Sequence, residues 1–359
     1  MKRQLKKIKK YPLTNPKAWT FKDSALKLDW NESDENLPAP LVEEAIERLK
    51  SYNLNWYPPI VNKPLLEAIS DYVQLPLKNI RYAPGSDAVN ECLITALLNY
   101  GDVVCIVSPN YDHFRNLAEV HGGTINHFRF NGEINYEKLD EFLEKSNPIA
   151  VYISSPNNPT GVCFDGANLV RFLKKYKSTY FVVDEAYFEF SSKTVSGLVV
   201  DYQNLAVTRS LSKAFGAASI RFGYLLASET IIQIYDLVAN VKATPLFTQI
   251  LAEVLITNRD YVYERVARTT EYRKKLLHIL DRFNISYHDS EANFVLINFD
   301  CQKQKERLIR RLEQSLVYIR DYSHLKETEN SVRITIGSSD RFHDFICNFE
   351  SILENVLTE

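Results

Sequence analysis

A lysine among small hydroxyl and apolar residues is the side chain of this sequence best suited to covalent chemistry. Lys213 lies in the segment Ser210 to Gly216, directly after the apolar run Leu205 to Thr208. Most lysines are solvated, and a lysine that forms a Schiff base needs a desolvated amine with a lowered pKa. The neighbours of Lys213 favour such an amine.

A carboxylate and a tyrosine follow another apolar run. Asp184 comes directly after Tyr180 to Val183 and should project where that strand ends. There it can pair with the protonated pyridine nitrogen of a bound heterocyclic cofactor. This pairing keeps the cofactor ring able to accept electron density. Tyr187 can bring its hydroxyl to a phenolic oxygen of the same ring. Taken alone, Asp184 fits a turn or helix cap and Tyr187 fits packing, so only their combination points to a site.

A turn-rich loop, Ser154 to Gly161, follows the run Ile149 to Ile153. Asn158 in this loop can donate a hydrogen bond to the same phenolic oxygen, and Pro159 restricts its backbone. As a loop the segment needs no function. The whole string of residues is more specific than any single member.

An anion site is predicted where Ala83 to Asp87 opens a helix from Ala88 to about Leu98. Backbone amides and the helix dipole at such a start bind phosphate, and Gly85 lets the backbone approach. A plain helix cap by Ser86 or Asp87 explains the segment nearly as well. Hydroxyl and guanidinium donors that could complete the site are Ser210, Ser212 and Arg221.

The elements that must position these residues alternate between strands and helices. Unalternating β-branched runs predict strands buried on both faces, and the helix-like stretches between them predict a mostly parallel sheet with helices on both sides. Active sites in such α/β folds form at the carboxyl ends of the strands. The helix-like stretches are Asp112 to His121, Tyr136 to Ser146 and Gly166 to Lys175.

The rest of the chain predicts a smaller α+β domain. It contains a long amphipathic stretch from Thr248 to about Leu280 and strand-like runs at Asn293 to Phe299 and Val332 to Ile336. Prolines such as Pro12 and Pro38 predict an extended N-terminal arm. We therefore expect an arm over 1–42 that is part of the small domain, a large domain over 43–245 and a C-terminal small domain over 246–359.

Composition excludes several classes of function. The formal net charge of -2 on 359 residues gives no broad basic field for nucleic acid, so small-molecule partners are expected. No apolar run approaches the ~20 residues of a membrane span. The 5 cysteines form no C-x-x-C pair and predict a reduced, cytoplasmic protein. The 7 histidines show no close ligand spacing, so no metal site is predicted.

Together these motifs resemble those of the class I/II aminotransferases, which use pyridoxal 5′-phosphate (PLP) on fold type I, and most of all the histidinol-phosphate aminotransferase family. The likeness rests on Ser155 to Gly161, Val183 to Tyr187 and Ser210 to Gly216 with Arg221, and extends to Leu28 to Glu32 and Val332 to Gly337. The resemblance implies PLP fold type I, in which the large domain has a mostly parallel sheet of about seven strands between helices.

The resemblance also implies a role for each residue. Lys213 would form the Schiff base and move the proton, Asp184 would hold the ring nitrogen, and Asn158 and Tyr187 would hold the phenolic oxygen. Tyr111 would stack on the ring. The phosphate would bind Gly85, Ser86, Asp87, Ser210, Ser212 and Arg221.

The same family implies substrate contacts and a homodimer. Arg333 matches the arginine that anchors a carboxylate or phosphate, Arg320 is expected as a second anion contact, and Asn31 as a further substrate residue. Tyr57 matches a tyrosine that reaches the cofactor phosphate of the neighbouring subunit, so shared active sites are expected. The chain departs from the family near Ser33, where the usual Asn-Glu-Asn-Pro is absent.

The predicted reaction moves an amino group from a donor, glutamate, to a small phosphorylated or carboxylated keto acceptor. A PLP-dependent decarboxylase of threonine phosphate or serine phosphate is the alternative, because relatives break that bond on the same scaffold. A PLP-dependent sensor is disfavoured, since the sequence shows no helix-turn-helix pattern before the arm.

Overall fold

This computed structural model describes residues 17–21, 24–324 and 328–358. Residues 1–16 and 22–23 of the predicted arm, including Pro12, lie outside the described residues. The strands are β1 (Leu26–Leu28), β2 (Ile80–Ala83), β3 (Val103–Ser108), β4 (Thr124–Arg129), β5 (Ala150–Ser154), β6 (Tyr180–Asp184), β7 (Leu205–Ser210), β8 (Gly223–Ala227), β9 (Ser286–Tyr287), β10 (Phe294–Asn298), β11 (Val317–Asp321) and β12 (Ser331–Thr335).

Helices cover both sheets. They are α1 (Lys17–Thr20), α2 (Ala39–Lys50), α3 (Lys63–Val73), α4 (Ser86–Leu97), α5 (Asp112–Val120), α6 (Tyr136–Ser146), α7 (Gly166–Lys175), α8 (Phe188–Ser191), α9 (Glu229–Asp236), α10 (Leu246–Thr257), α11 (Asp260–Arg282), α12 (Gln302–Gln314) and α13 (Asp340–Thr358). No described helix has the length and apolar character needed to cross a bilayer.

The larger sheet has seven strands in the order β2-β8-β7-β6-β5-β3-β4, and only β8 runs antiparallel to its neighbours. The prediction of a mostly parallel seven-stranded sheet is confirmed. Its central strands are buried on both faces, with separate apolar clusters above and below. That double burial explains why their sequences are continuous apolar runs.

The strand order reverses direction at β3, which has β4 on one side and β5 on the other. In open α/β sheets the crevice at such a point, outside the carboxyl ends of the strands, is where ligands bind. The loop that carries Tyr111 follows β3, and the loop that carries Asn158 follows β5. The topology therefore brings two of the predicted loops to one crevice.

The smaller sheet has the order β1-β11-β12-β10-β9. Strand β1 pairs parallel with β11, so residues 26–28 of the predicted arm belong to this sheet. The amphipathic stretch from Thr248 is two helices, α10 and α11, separated at Asn258 and Arg259. Helix α10 packs on α2 and α3 in the core of the larger sheet, and α11 reaches both cores. The predicted boundary at residue 245 stays a prediction.

Candidate active site

A cavity of about 480 Å³ lies between the two sheets. Residues from β6, β7 and the loops after β3 and β5 form one wall, and residues from β11, β12 and the segment after β1 form another. The predicted site residues that line it are Ser86, Asp87, Tyr111, Asn158, Asp184, Tyr187, Ser210, Ser212, Lys213, Arg221, Arg320 and Arg333.

Lys213 opens onto this cavity from the loop after β7. Its Nζ donates a hydrogen bond to the carbonyl oxygen of Trp30 at 2.9 Å. Burial lowers the pKa of Lys213 to about 8, and the positive charges of Arg333 and Lys27 act in the same direction, against Glu32 and Asp87. A larger fraction of the amine is therefore neutral near pH 7 than for a solvated lysine, which is what a nucleophilic amine requires.

Asp184 is the last residue of β6, and its carboxylate is held from below. The Tyr152 hydroxyl donates to Oδ2 at 2.7 Å, and the backbone N–H of Ala186 donates to Oδ1 at 3.0 Å. Tyr152 is itself fixed by stacking on Phe114, with ring centroids 4.0 Å apart. Burial raises the pKa of Asp184 to about 6. A cationic ring nitrogen beside this carboxylate would offset the cost of burying its charge.

A chain of hydrogen bonds fixes the amide of Asn158. Its Nδ2 donates to the Tyr187 hydroxyl at 3.2 Å, and Asn31 Nδ2 donates to the same hydroxyl at 3.0 Å. Its Oδ1 accepts from the Tyr322 hydroxyl at 3.0 Å and from Arg333 Nη1 at 2.6 Å. Because the oxygen is held on one side, the NH2 group must face Tyr187 and the cavity between them.

The predicted anion site is a cup at the start of α4. The N-cap residue is Gly85, with φ 97°, and no side chain caps the helix, so the plain cap by Ser86 or Asp87 is wrong. A Cβ on Gly85 would lie 2.6 Å from Arg221 Nη2, which shows how closely the guanidinium approaches. The Ser210 hydroxyl donates to Ser212 Oγ at 2.8 Å. Backbone amides, two hydroxyls and a guanidinium suit a phosphate.

Arg320 and Arg333 are direct partners across the antiparallel pair β11 and β12. Opposite residues of such a pair place their side chains on the same face of the sheet, and both line the cavity. Arg333 is 4% exposed; its Nη1 also donates to the Tyr322 hydroxyl at 2.8 Å and its Nη2 to the Asp29 carbonyl at 2.6 Å. Its buried Nε has no hydrogen-bond partner among the described residues.

Three predicted residues do not line the cavity. Gly85 contributes backbone behind Arg221. Asn31 is buried with its amide turned to Tyr187, so it touches the site through that hydroxyl. Tyr57 is 75% exposed, with Lys242 Nζ lying 4.4 Å from its ring centroid, and it is absent from this cavity.

The structure adds residues for which the sequence analysis assigned no role. Tyr152 and Tyr322 read as core tyrosines, because a strand pattern alone does not reveal which hydroxyl has a partner. Trp30 and Glu32 flank Asn31 in a segment singled out only as a family motif. The cavity wall further includes Trp19, Ser154, Ala186, Ala218 and Ser219.

This fold and site define a class I/II aminotransferase. The family described as Aminotransferase class I and II matches residues 23–346, and the chain belongs to it. The chain is 34% identical over 348 residues to a dihydroxyacetone phosphate transaminase of Campylobacter jejuni, covering 94% of this chain and 93% of that protein. It is 32% identical over 326 residues to a histidinol-phosphate aminotransferase of Caldanaerobacter subterraneus, with 90% and 91% covered.

Solved structures share the fold. A histidinol-phosphate aminotransferase from Sinorhizobium meliloti in complex with PLP is similar with a TM-score of 0.87 at 21% identity, over 99% of this chain and 98% of that one. An aspartate aminotransferase from Thermus thermophilus with maleate gives a TM-score of 0.81 at 19% identity, over 98% and 99%. The resemblance to fold type I aminotransferases, and to the histidinol-phosphate aminotransferase family, is confirmed.

Proposed function

We propose that this aminotransferase binds PLP through Lys213 and transfers an amino group from glutamate to a small phosphorylated ketone. The observation that carries the cofactor assignment is the presence in one cavity of a partly buried amine, a buried carboxylate and an anion cup. When bound, PLP supplies a carbonyl that takes up nitrogen and a ring that accepts electron density. The residues present fit it.

The chain's own residues divide the work around that cofactor. The Lys213 amine, with its lowered pKa, would carry a proton from the amino-bearing carbon of the donor to the cofactor, and in the second half-reaction from the cofactor to the corresponding carbon of the acceptor. Asp184 keeps a proton on the ring nitrogen. Asn158 and Tyr187 hold the phenolic oxygen, and the cup of Ser86 and its neighbours holds the phosphate. Tyr111, which lines the cavity, would stack on the ring.

A phosphorylated substrate is supported by the arginine pair and by the relatives. Arg320 and Arg333 place two guanidinium groups on one face of the smaller sheet, which suits an anion that accepts several hydrogen bonds. The relatives are named for dihydroxyacetone phosphate and for histidinol phosphate. Their names have a phosphorylated substrate in common.

A substrate panel tests this proposal. Purified protein loaded with PLP is mixed with glutamate, serinol phosphate, histidinol phosphate, phosphoserine or an aromatic amino acid, and the visible absorbance band of the bound cofactor is followed. Amino transfer converts that band to the absorbance of pyridoxamine phosphate. We expect glutamate and at least one phosphorylated amine to do so. No conversion with any amine, or release of carbon dioxide from a phospho-amino acid, would contradict the proposal.

We also propose a cytoplasmic homodimer whose subunits share their active sites. The segment that carries Tyr57 exposes many apolar side chains to solvent, more than a monomer usually shows in one place. A second copy that covers it would bury this surface and place Tyr57 beside another cavity. The exposed residues are Tyr52, Leu54, Trp56, Tyr57, Ile60 and Val61. Free cysteines, including the exposed Cys301 and Cys347, fit a reducing compartment.

A further inference from the structure

A carboxylate in the cavity wall has no part in holding the cofactor. Glu32 lines the cavity, as does Trp30, whereas the buried Asn31 between them donates its amide to the Tyr187 hydroxyl and does not line the cavity itself. Asn31 has φ 56°, a left-handed conformation that asparagine adopts more readily than most residues. The backbone turn at Asn31 therefore presents the two flanking side chains to the cavity.

The carboxylate of Glu32 is only partly engaged. Lys27 Nζ donates a hydrogen bond to its Oε2, pairs with Asp29 Oδ1 at 2.9 Å, and lies 4.5 Å from the ring centroid of Trp30. Among the described residues, none donates a hydrogen bond to Glu32 Oε1. The wall thus offers one carboxylate oxygen that can accept a hydrogen bond.

The opposite charge faces the same cavity from the smaller sheet. Arg320 and Arg333 line it, and Arg333 has a buried Nε without a partner in the described chain. Both Glu32 and Arg333 lie close enough to the Lys213 amine for their charges to act on it in opposite directions. When a substrate carbon reacts beside Lys213, one of its substituents can therefore contact the carboxylate of Glu32 and another the guanidinium groups of Arg320 and Arg333.

We propose that Glu32 is a specificity-determining residue that accepts a hydrogen bond from an uncharged arm of the substrate, while Arg320 and Arg333 bind its phosphorylated arm. This inference rests on the proposed function and narrows its substrate class. A hydroxymethyl group or an imidazole N–H can donate to Glu32. A carboxylate in that place has no hydrogen to donate and is repelled by like charge.

The class selected is phosphorylated hydroxyketones and amino alcohols, in preference to phosphorylated keto acids and α-amino acids. Glutamate remains acceptable as donor because its α-carboxylate and its distal carboxylate can meet the guanidinium groups of Arg333 and Arg320. A hydroxymethyl arm and an imidazole arm share the required chemistry. They are separated by the choice of ligand in the experiment.

Unreactive ligands test the proposal without turnover. Glycerol 3-phosphate and 3-phosphoglycerate differ at one end, where a hydroxymethyl group replaces a carboxylate. Calorimetry on the PLP-loaded enzyme should give tighter binding of glycerol 3-phosphate. Glu32→Gln keeps the size of the side chain and removes the like-charge repulsion. In this variant we expect the dissociation constant of 3-phosphoglycerate, divided by that of glycerol 3-phosphate, to fall about tenfold or more. Glu32→Asp keeps the charge and should keep most of the preference.

The half-reaction supplies a second measurement. Wild-type enzyme should convert serinol phosphate or histidinol phosphate faster than phosphoserine, and Glu32→Gln should reduce that ratio of kcat/KM to a similar extent. Which of the two amines is faster separates the hydroxymethyl arm from the imidazole arm. Glu229→Gln, which removes a surface carboxylate paired with Lys78, is the matched control and should leave both ratios unchanged.

The outcomes separate the two claims. An enzyme that transfers amino groups but shows the same ligand preference in wild type and in Glu32→Gln overturns the role of Glu32 alone. Tighter binding of 3-phosphoglycerate than of glycerol 3-phosphate by the wild type overturns it as well. Absence of amino transfer with every amine overturns the proposed function instead.

Discussion

The amine of Lys213 sits where burial and a backbone carbonyl act on the same group. The carbonyl of Trp30 holds Nζ at 2.9 Å while burial favours the neutral form. A lysine in this state can both bind a carbonyl carbon and carry a proton, whereas the proposed phosphate cup at Ser86 would hold the cofactor independently of it.

For Lys213→Ala we therefore expect PLP binding to persist while turnover falls by about 10²–10⁴-fold or more, the range attributed to a positioned proton-transfer group. Binding is measured by fluorescence titration and turnover by the coupled transfer from glutamate. Lys193→Ala, at an exposed lysine that pairs with Glu291, is the control. Near-normal turnover in Lys213→Ala would remove this lysine from the mechanism.

The raised pKa of Asp184 predicts a pH effect on the cofactor-free protein. Its folded pKa of about 6 lies above the ordinary value of 3.8 for an aspartate, so the folded state binds more protons between these two pH values and stability falls as pH rises through them. The loss is at most about 3 kcal/mol, since one pKa unit corresponds to about 1.4 kcal/mol. Thermal unfolding from pH 4.5 to 7 measures it. Asp184→Asn should have a smaller pH dependence than wild type and bind PLP more weakly; an identical slope would contradict the assignment.

Tyr322 joins Asn158 and Arg333 through its hydroxyl, and the guanidinium carbon of Arg333 also lies 5.3 Å from the centroid of its ring. In Tyr322→Phe we expect kcat/KM for glutamate to fall about fivefold or more, because a lost hydrogen bond is worth about 1 kcal/mol. The pH at which the cofactor absorbance band changes should shift too, since the amide oxygen of Asn158 loses one of its two hydrogen bonds. Tyr287→Phe, which loses a bond to Asp281 near the surface, serves as control. An unchanged band would assign Tyr322 to packing alone.

The predicted residues that line the cavity lie mostly in contiguous motifs, whereas tyrosines that hold those residues through hydrogen bonds were not predicted. Lys213, Asp184 and Asn158 each stand at the end of an apolar run, where chain topology alone predicts their position. The hydroxyls of Tyr152 and Tyr322 act through partners distant in sequence, and only the three-dimensional register shows them. Their apolar rings fit a strand equally well with or without a hydrogen bond.

The close approach of Arg221 to the start of α4 depends on Gly85, which has no Cβ. Gly85→Ala would add a Cβ 2.6 Å from Arg221 Nη2 at φ 97°, and we expect PLP affinity to fall. Gly101→Ala has a similar φ of 89° with nothing within 4 Å of the added Cβ, so it isolates backbone strain of about 1–2 kcal/mol. Titration with PLP and thermal unfolding of both variants separate the two effects. Equal PLP affinity in Gly85→Ala and wild type would contradict the cup.

Strands and helices of the larger sheet follow the predicted bounds closely. Helices α6 and α7 match their predicted ranges because polar turns flank them on both sides. The division between α10 and α11 was not foreseen, since Asn258 and Arg259 bring neither proline nor glycine. Packing of α10 on α2 and α3 decides where that helix ends, and such contacts are not visible in a local pattern.

The proposed homodimer with shared active sites can be tested by mixing two inactive variants. Lys213→Ala keeps Tyr57, and Tyr57→Ala keeps Lys213, so a hybrid dimer would hold one complete site. After the two proteins are mixed, unfolded and refolded together, activity should rise above that of either protein refolded alone, toward about a quarter of the wild-type value, because half of the dimers are hybrids. Activity equal to the average of the separate proteins would show that sites are not shared.

Helix α11 belongs to two cores, with Val262 beneath the larger sheet and Leu276 beneath the smaller one, while α10 completes the larger core from beyond residue 245. A chain divided at residue 245 would leave the first fragment with an open apolar face and the second with an unpaired helix. Neither fragment should stay monomeric and folded when expressed alone. Only when the two fragments are produced together do we expect the hydrophobic core of the larger sheet to form.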